Sequence, residues 1–254
     1  MARVITVANQ KGGVGKTTTV INLGAALAEY ERDTLLVDLD PQAALSAGFG
    51  INSYALEKSI YNVMVDAYDV TLDSIIQPVR PHLDVVPSNI DLAAAEMELI
   101  PTIGREYILK EHLATIQDRY HYILIDTPPS LGLLTINALT AAGEVLIPVQ
   151  CEFLAMRGMR VLLQTIDKIR AKLNPGLEIL GILGTMYNSR TIHAQEVLEE
   201  LQSVFGQKVF DIVIKSSIKF AEAPVAQQPI LEYARRHKGA MAYRALAEVI
   251  IDGE

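Results

Sequence analysis

Short, almost unbroken apolar runs alternate along the chain with longer stretches in which apolar residues recur every three or four positions. The runs are RVITVA (3–8), TLLVDL (34–39), LDVVP (83–87), YILID (122–126), EVLIPVQ (144–150), LEILGILGTMY (177–187) and KVFDIVI (208–214). Most are apolar at successive positions, so both faces of the strands they predict must be covered, as in a parallel sheet between helix layers. The intervening stretches predict helices over 16–29, 57–66, 89–99, 103–118, 132–142, 156–173, 191–205 and 238–251. Asn89 and Thr191 stand where N-caps belong, and Asn174-Pro175-Gly176 stops the long helix before it. The alternation predicts an α/β fold: a single doubly wound, mostly parallel sheet flanked by helices. No segment rich in Gly, Ser or Pro divides the 254 residues, so residues 1–254 read as one domain.

Composition narrows the chemistry. With 50% hydrophobic and 20% charged residues, the chain can bury a full core. Cys151 is its single cysteine, which excludes an internal disulfide and any multi-cysteine metal or iron–sulfur site within one chain. It fits a reducing cytosol and reads as a buried apolar filler. The five histidines, at 82, 112, 121, 193 and 237, are scattered and suggest no metal site. Neither a signal peptide nor an apolar run of the ~18 residues a membrane span needs is readable. The net charge of −8 disfavours nucleic acid as a partner, but a local basic face can bind DNA on an acidic protein.

The densest chemistry lies in ANQKGGVGKTTTVINL (8–23), between the first predicted strand and the first predicted helix. That context is what a phosphate-binding loop requires. Gly12, Gly13 and Gly15, with Val14 between them, let backbone N–H groups face inward, and with the helix N-terminus they form an anion cradle. Lys16 can reach the β- and γ-phosphates of a nucleotide, the Thr17 hydroxyl can ligate Mg²⁺, and Thr18 adds a contact near the α-phosphate. The general pattern G-x-x-x-x-G-K-[ST] would put its first glycine at Gln10, so the strict form fails. What stands instead is an octet with a second lysine, Lys11, at its head.

Two strands end in acids. LLVDLDPQ (35–42) carries Asp38 and Asp40, which alternation would place on one side of a strand. YILID ends at Asp126 after four mostly apolar residues; this resembles a Walker-B aspartate, and the resemblance implies that it holds Mg²⁺ through a water. Thr127-Pro128-Pro129-Ser130 then forms a stiff loop, because proline fixes φ.

Taken together, KGGVGKTT (11–18), LLVDLDPQ, YILIDTPPSL (122–131), IPVQCEF (147–153), GILGTMYNSRT (181–191) and FAEAPVAQQPILEY (220–233) resemble the ParA-type partition ATPases. These are P-loop NTPases with a deviant Walker A motif, a group that also includes MinD-type proteins, and the likeness covers nearly the whole chain. The resemblance implies a slow, partner-stimulated ATPase using ATP and Mg²⁺. It also implies that Lys11 crosses a homodimer interface to the partner's nucleotide, that Asp40 positions or activates the attacking water, and that Asp38 supports it. In this reading Lys11, Lys16 and Asp40 are the catalytic set, and the 127–130 loop is a switch sensing the γ-phosphate. Met186 and Asn188 would contact adenine, Asn188 through its amide.

The family's dimers bind DNA without sequence preference. Matching positions here are Arg190, Lys215 and Lys219, joined by Arg235, Arg236 and Lys238 in YARRHKG (233–239). Relatives often carry Pro-Arg where this chain has Lys215-Ser216, and arginine at Lys219, so a bidentate phosphate contact and an adenine-side packing contact differ here. The resemblance also implies a centromere-binding ParB-type or cargo-adaptor partner, and a cytoplasmic, nucleoid-associated protein that moves chromosome or plasmid DNA. Positioning of a protein cargo on the nucleoid and a MinD-like membrane cycle are the alternatives; a metabolic synthetase-like or nitrogenase-reductase-like enzyme is a third. The acidic end of AYRALAEVIIDGE (242–254) disfavours membrane docking. With no helix-turn-helix segment ahead of the loop, no operator-specific binding is expected.

Overall fold

The structure is a computed structural model describing residues 1–65, 70–152 and 155–253, with the backbone alone for 155–157. Asp66, the last residue of one predicted helix, and Phe153 of the IPVQCEF segment lie outside the described residues.

The strands are β1 (Arg3–Val7), β2 (Thr34–Asp38), β3 (Gln77–Arg80), β4 (Leu83–Val86), β5 (Tyr122–Asp126), β6 (Glu144–Gln150), β7 (Glu178–Tyr187) and β8 (Val209–Lys215). The helices are α1 (Lys16–Glu29), α2 (Ala44–Gly48), α3 (Ile60–Met64), α4 (Leu92–Glu98), α5 (Ile108–Ala114), α6 (Leu133–Ala141), α7 (Ala155–Lys172), α8 (Ile192–Phe205), α9 (Lys219–Val225), α10 (Ile230–Tyr233) and α11 (Lys238–Asp252). All the strands join one sheet in the order β3-β4-β2-β5-β1-β6-β7-β8, parallel except for β3.

The unbroken apolar runs behave as two-faced strands must. Leu36 and Leu124 pack into the core under α1, α10 and α11, while their neighbours Leu35, Val37, Ile123 and Ile125 pack into the opposite core under α3–α6. A third cluster lies under α7 and α8 beside β6 and β7. Each fully buried leucine or isoleucine contributes about 1.5–3 kcal/mol. Gly24 sets α1 tightly on β2, since a Cβ there would lie 2.5 Å from Leu36 Cδ2.

The chain passes from β1 over β5 to β2 on one side, and from β5 over β1 to β6 on the other. This reversal opens a crevice at the carboxyl ends of β1, β5 and β6, where open α/β sheets bind ligands.

Several local expectations change. β3 is an additional antiparallel edge strand, short and containing Pro78, which hides it from a periodicity search. Helices α2, α9 and α10 are also additional; each spans seven residues or fewer, too short to show a 3.6-residue period. Asn89 is not an N-cap, because α4 starts at Leu92 behind Asp91. Its amide instead accepts from the Ser59 hydroxyl and donates to Asp91, each at 2.9 Å. Thr191 holds the N-cap position of α8, but its hydroxyl donates to the Asn188 carbonyl rather than capping the helix.

Candidate functional site

The loop joining β1 to α1 is shaped by its glycines. Gly13 and Gly15 have φ of 74° and 90°, a region that penalises any Cβ, and Gly15 opens α1. No side chain caps α1, so its first N–H groups stay available to an anion. The loop is pinned at its centre: the buried Thr185 hydroxyl of β7 donates to the Val14 carbonyl at 2.8 Å. Asn9 ties the loop's start to β6, its amide donating to the Pro148 carbonyl at 2.7 Å and accepting from the Lys11 N–H at 2.9 Å. Sequence reasoning missed both Asn9 and Thr185, since neither residue type marks a phosphate loop by itself.

Gly12, Gly13, Gly15, Lys16, Thr17, Thr18, Asp40, Pro129 and Met186 line a pocket of about 230 Å³. Lys16 is buried there, and desolvation pulls its proton affinity down while Asp126 and Asp40 push it back up. Phosphate oxygens in the pocket would complete the pairing that the two carboxylates begin.

Asp126 and Asp38 are direct cross-strand partners at the ends of β5 and β2, and both are fully buried. Their environments differ. Asp38 accepts from the Ser46 N–H at 2.9 Å, the Ser46 hydroxyl at 2.7 Å and the Asp40 N–H at 3.3 Å. It therefore ties the end of β2 to α2. Burial still pushes its carboxyl up to about 6, against the lowering effect of those hydrogen bonds.

Both Asp126 oxygens, by contrast, lack a hydrogen-bond partner. Burial, then the charge of Asp38, raise its proton affinity well above the usual carboxylate range; Thr17 and Lys16 only partly oppose this. The Thr17 hydroxyl is near enough to favour the ionised form without hydrogen-bond geometry. A buried, unpartnered carboxylate beside a threonine hydroxyl at the foot of an anion cradle fits a divalent cation. Among the described residues no cluster of three or more His, Cys, Asp or Glu could hold a metal. Such a cation would thus depend on few protein ligands, as Mg²⁺ bound with phosphates does.

Asp40 is placed differently from the alternation argument. β2 ends at Asp38, and Asp40 lies in the following loop at the rim of the phosphate pocket, accepting from the Gln42 N–H at 2.9 Å.

Lys11 is not among the residues lining that pocket. Its ammonium is held at the surface by Gln150 Oε1 at 3.0 Å and Glu152 Oε2 at 3.1 Å, and Gln150 donates to Glu152 at 2.5 Å.

A second cleft, of about 290 Å³, adjoins the first through Gly15, Thr18 and Met186. Ile214, Phe220, Ala221 and Tyr243 supply apolar walls, with Lys215, Ser216 and Ser217 at its edge. Tyr243 is fixed by its hydroxyl, 3.2 Å from Thr19 Oγ1, and by edge-on contact with Phe220. Met186 stands between the clefts in a left-handed conformation, φ 50°, strained for a side chain of its size. Asn188 is exposed in the turn after β7, is not among the lining residues, and accepts from the Arg190 N–H at 3.1 Å.

The basic residues come from neighbouring segments. Arg190 follows β7, Lys215 ends β8 opposite Tyr187, and Lys219 opens α9. The link carrying Arg235 and Arg236, with Lys238 opening α11, is drawn to the same end of the sheet by Ser217, whose hydroxyl lies 3.2 Å from His237 Nε2. All but Lys219 are well exposed. Among the described residues no helix is long and apolar enough to cross a membrane.

Residues 2–179 match the AAA domain family. The chain is 47% identical to the sporulation initiation inhibitor protein Soj of Bacillus subtilis, covering 98% of each chain. It is 44% identical to the chromosome partitioning protein ParA of Caulobacter vibrioides, over 99% of this chain and 95% of that one. A crystal structure described as cobyrinic acid a,c-diamide synthase from Mycobacterium smegmatis, with an ATP analogue and magnesium, superposes with a TM-score of 0.87 at 41% identity, over 99% of this chain and 95% of that one. The phosphate loop, its paired aspartates and the full-length likeness to Soj and ParA converge: the chain belongs to the ParA/Soj family of P-loop ATPases.

Proposed function

We propose that this protein hydrolyses ATP with Mg²⁺, dimerises while ATP is bound, and in that state holds DNA without reading its sequence, driving the partition of chromosome or plasmid DNA. The observation that carries the reading is the split between the two loop lysines. Lys16 is buried in the phosphate pocket, whereas Lys11 presents its ammonium at the surface, outside that pocket. A lysine so placed serves the nucleotide of a second copy, where it offsets the charge two ATP molecules bring to one interface.

Within one site, the N–H groups around Gly13, Gly15 and Lys16 hold the phosphates, and the Lys16 ammonium neutralises their oxygens. Thr17, and Asp126 through a water, would hold Mg²⁺, which would draw charge from the phosphate oxygens. Asp40, at the rim, orients the water that attacks the γ-phosphorus; the bond to the β–γ bridging oxygen breaks and ADP and phosphate leave. Positioning and charge neutralisation suffice, and no strong base is required. The second cleft takes the base between Met186 and the Phe220–Tyr243 wall. The M. smegmatis structure with an ATP analogue and magnesium supports the choice of nucleotide and ion, and the names of the Soj and ParA relatives support partition. A ParB-type protein would be the stimulating partner, and the nucleoid the working location.

The synthase name borne by that structure suggests a different chemistry, amide formation with a nitrogen donor. A thiol that draws ammonia from glutamine must be accessible and ionisable. Cys151 is buried, and burial pushes it up to about 11. That disfavours the synthase reading here.

The test is light scattering with a slowly hydrolysed ATP analogue, paired with co-sedimentation on DNA. Wild type should double in mass and co-sediment with ATP and not with ADP. Lys11→Ala should bind nucleotide through Lys16 and remain monomeric. A Lys11→Ala chain that dimerises like wild type would refute the role in trans.

A further inference from the structure

Lys219 differs from the other five residues of the basic face. Its ammonium lies 2.7 Å from Glu222 Oε2, and the same oxygen accepts from the Tyr233 hydroxyl at 2.8 Å. The ammonium also stands 5.5 Å from the centre of the Tyr233 ring. Two helices, α9 and α10, thus close a triad around one carboxylate oxygen. Among the described residues no carboxylate pairs with Arg190, Lys215, Arg235, Arg236 or Lys238.

An exposed pair three residues apart on a helix is weak and exchanges readily with water. Here the tyrosine changes that. Its hydroxyl fixes the carboxylate from a second helix, and its ring gives the ammonium an aromatic face. Glu222 is correspondingly held in its ionised form, first by Lys219 and then by Tyr233. Lys219 and Glu222 remain partly open to solvent, with 43% and 37% of their side-chain surface exposed, so a ligand can reach them.

We infer that Glu222, anchored by Tyr233, is a built-in competitor for the Lys219 ammonium that holds down the affinity of the DNA face. This rests on the DNA-binding reading above. A DNA phosphate reaching Lys219 must share its ammonium with Glu222 or displace it, and in either case the carboxylate faces the duplex's negative charge. The lysine therefore adds less than a free cation would, and a single copy of the chain holds DNA poorly. Retention depends on two copies acting together, so the hold is lost when the dimer separates.

The experiment measures binding of a fluorescent duplex to the full chain with a slowly hydrolysed ATP analogue, across a salt series. The variants are Glu222→Gln, Lys219→Ala, the double variant, and Tyr233→Phe. Glu222→Gln should bind about three- to tenfold tighter than wild type at low salt, since it frees one lysine per copy. Its log–log salt slope should steepen by about 1.8 per dimer, about 0.9 for each lysine freed. In the Lys219→Ala background the same change should give less than about a twofold gain, because the carboxylate acts through that lysine. Tyr233→Phe should shift affinity the same way by a smaller factor, and it carries the test if Glu222→Gln does not fold. Wild-type affinity in Glu222→Gln, or its full gain persisting without Lys219, would overturn the inference alone. A wild-type chain that binds no duplex in either nucleotide state would overturn the DNA-binding reading as well.

Discussion

Replacing Asp38 by asparagine should stabilise the nucleotide-free protein near neutral pH. The carboxyl is fully buried, and its pKa stands at about 6 against 3.8 for the free side chain. The folded state thus binds this proton more tightly than the unfolded state does. Stability is fullest below the unfolded pKa, falls as pH rises between the two values, and levels off above the folded one. A carboxyl pushed up that far withholds roughly 3 kcal/mol from the fold near pH 7.5.

Asparagine removes the charge at nearly constant volume. Its amide oxygen can still accept from the Ser46 N–H and hydroxyl, but its NH₂ group faces the Asp40 N–H that now donates to the carboxylate. That mismatch costs about 1–2 kcal/mol. The net gain near pH 7.5 is therefore about 1–2 kcal/mol. Near pH 4.5 the wild-type penalty shrinks to about 1 kcal/mol, and the advantage should vanish or reverse. Urea unfolding without nucleotide or Mg²⁺, at both pH values, measures this through the midpoint at constant slope. A variant clearly less stable than wild type near pH 7.5 would refute the reasoning: the hydrogen bonds to the carboxylate would then outweigh its desolvation.

Asp40→Ala should bind ATP normally, fail to hydrolyse it under single-turnover conditions and accumulate as the ATP-bound dimer; normal turnover would remove Asp40 from the mechanism. Thr185→Val leaves the buried Val14 carbonyl without its donor and should cost about 1–3 kcal/mol of stability, with a severalfold loss of ATP affinity by fluorescence titration. Arg190→Ala should weaken binding about equally on two unrelated duplexes and flatten the salt slope by about 0.9 per copy, while DNA-independent hydrolysis persists; a selective loss on one duplex would mean the residue reads bases.

The phosphate loop, the two acidic strand ends and the parallel sheet were legible in the chain itself. Each rests on local physics: a glycine run between a strand and a helix, an acid closing an apolar run, and successive apolar positions that demand cover on both faces. α1 begins at Lys16 and ends at Glu29, as the periodicity predicts. The short helices α2, α9 and α10 and the edge strand β3 escaped, since none is long enough to carry a period and their ends are set by packing.

The tertiary structure alone decided the relations among distant residues. Asp38 and Asp126 read alike as strand-end acids, and only the register of β2 on β5 makes them neighbours. The position of Ser46 gives Asp38 two hydrogen bonds, while both Asp126 oxygens are left without a partner. Lys11 and Glu152 are 141 residues apart, and Lys219 meets Tyr233 across two helices that periodicity did not show. Propensity and apolar periodicity are properties of neighbours along the chain, so sequence determines them. The pairing of a buried charge is a property of neighbours in space, fixed only once the sheet order and the helix seats are set.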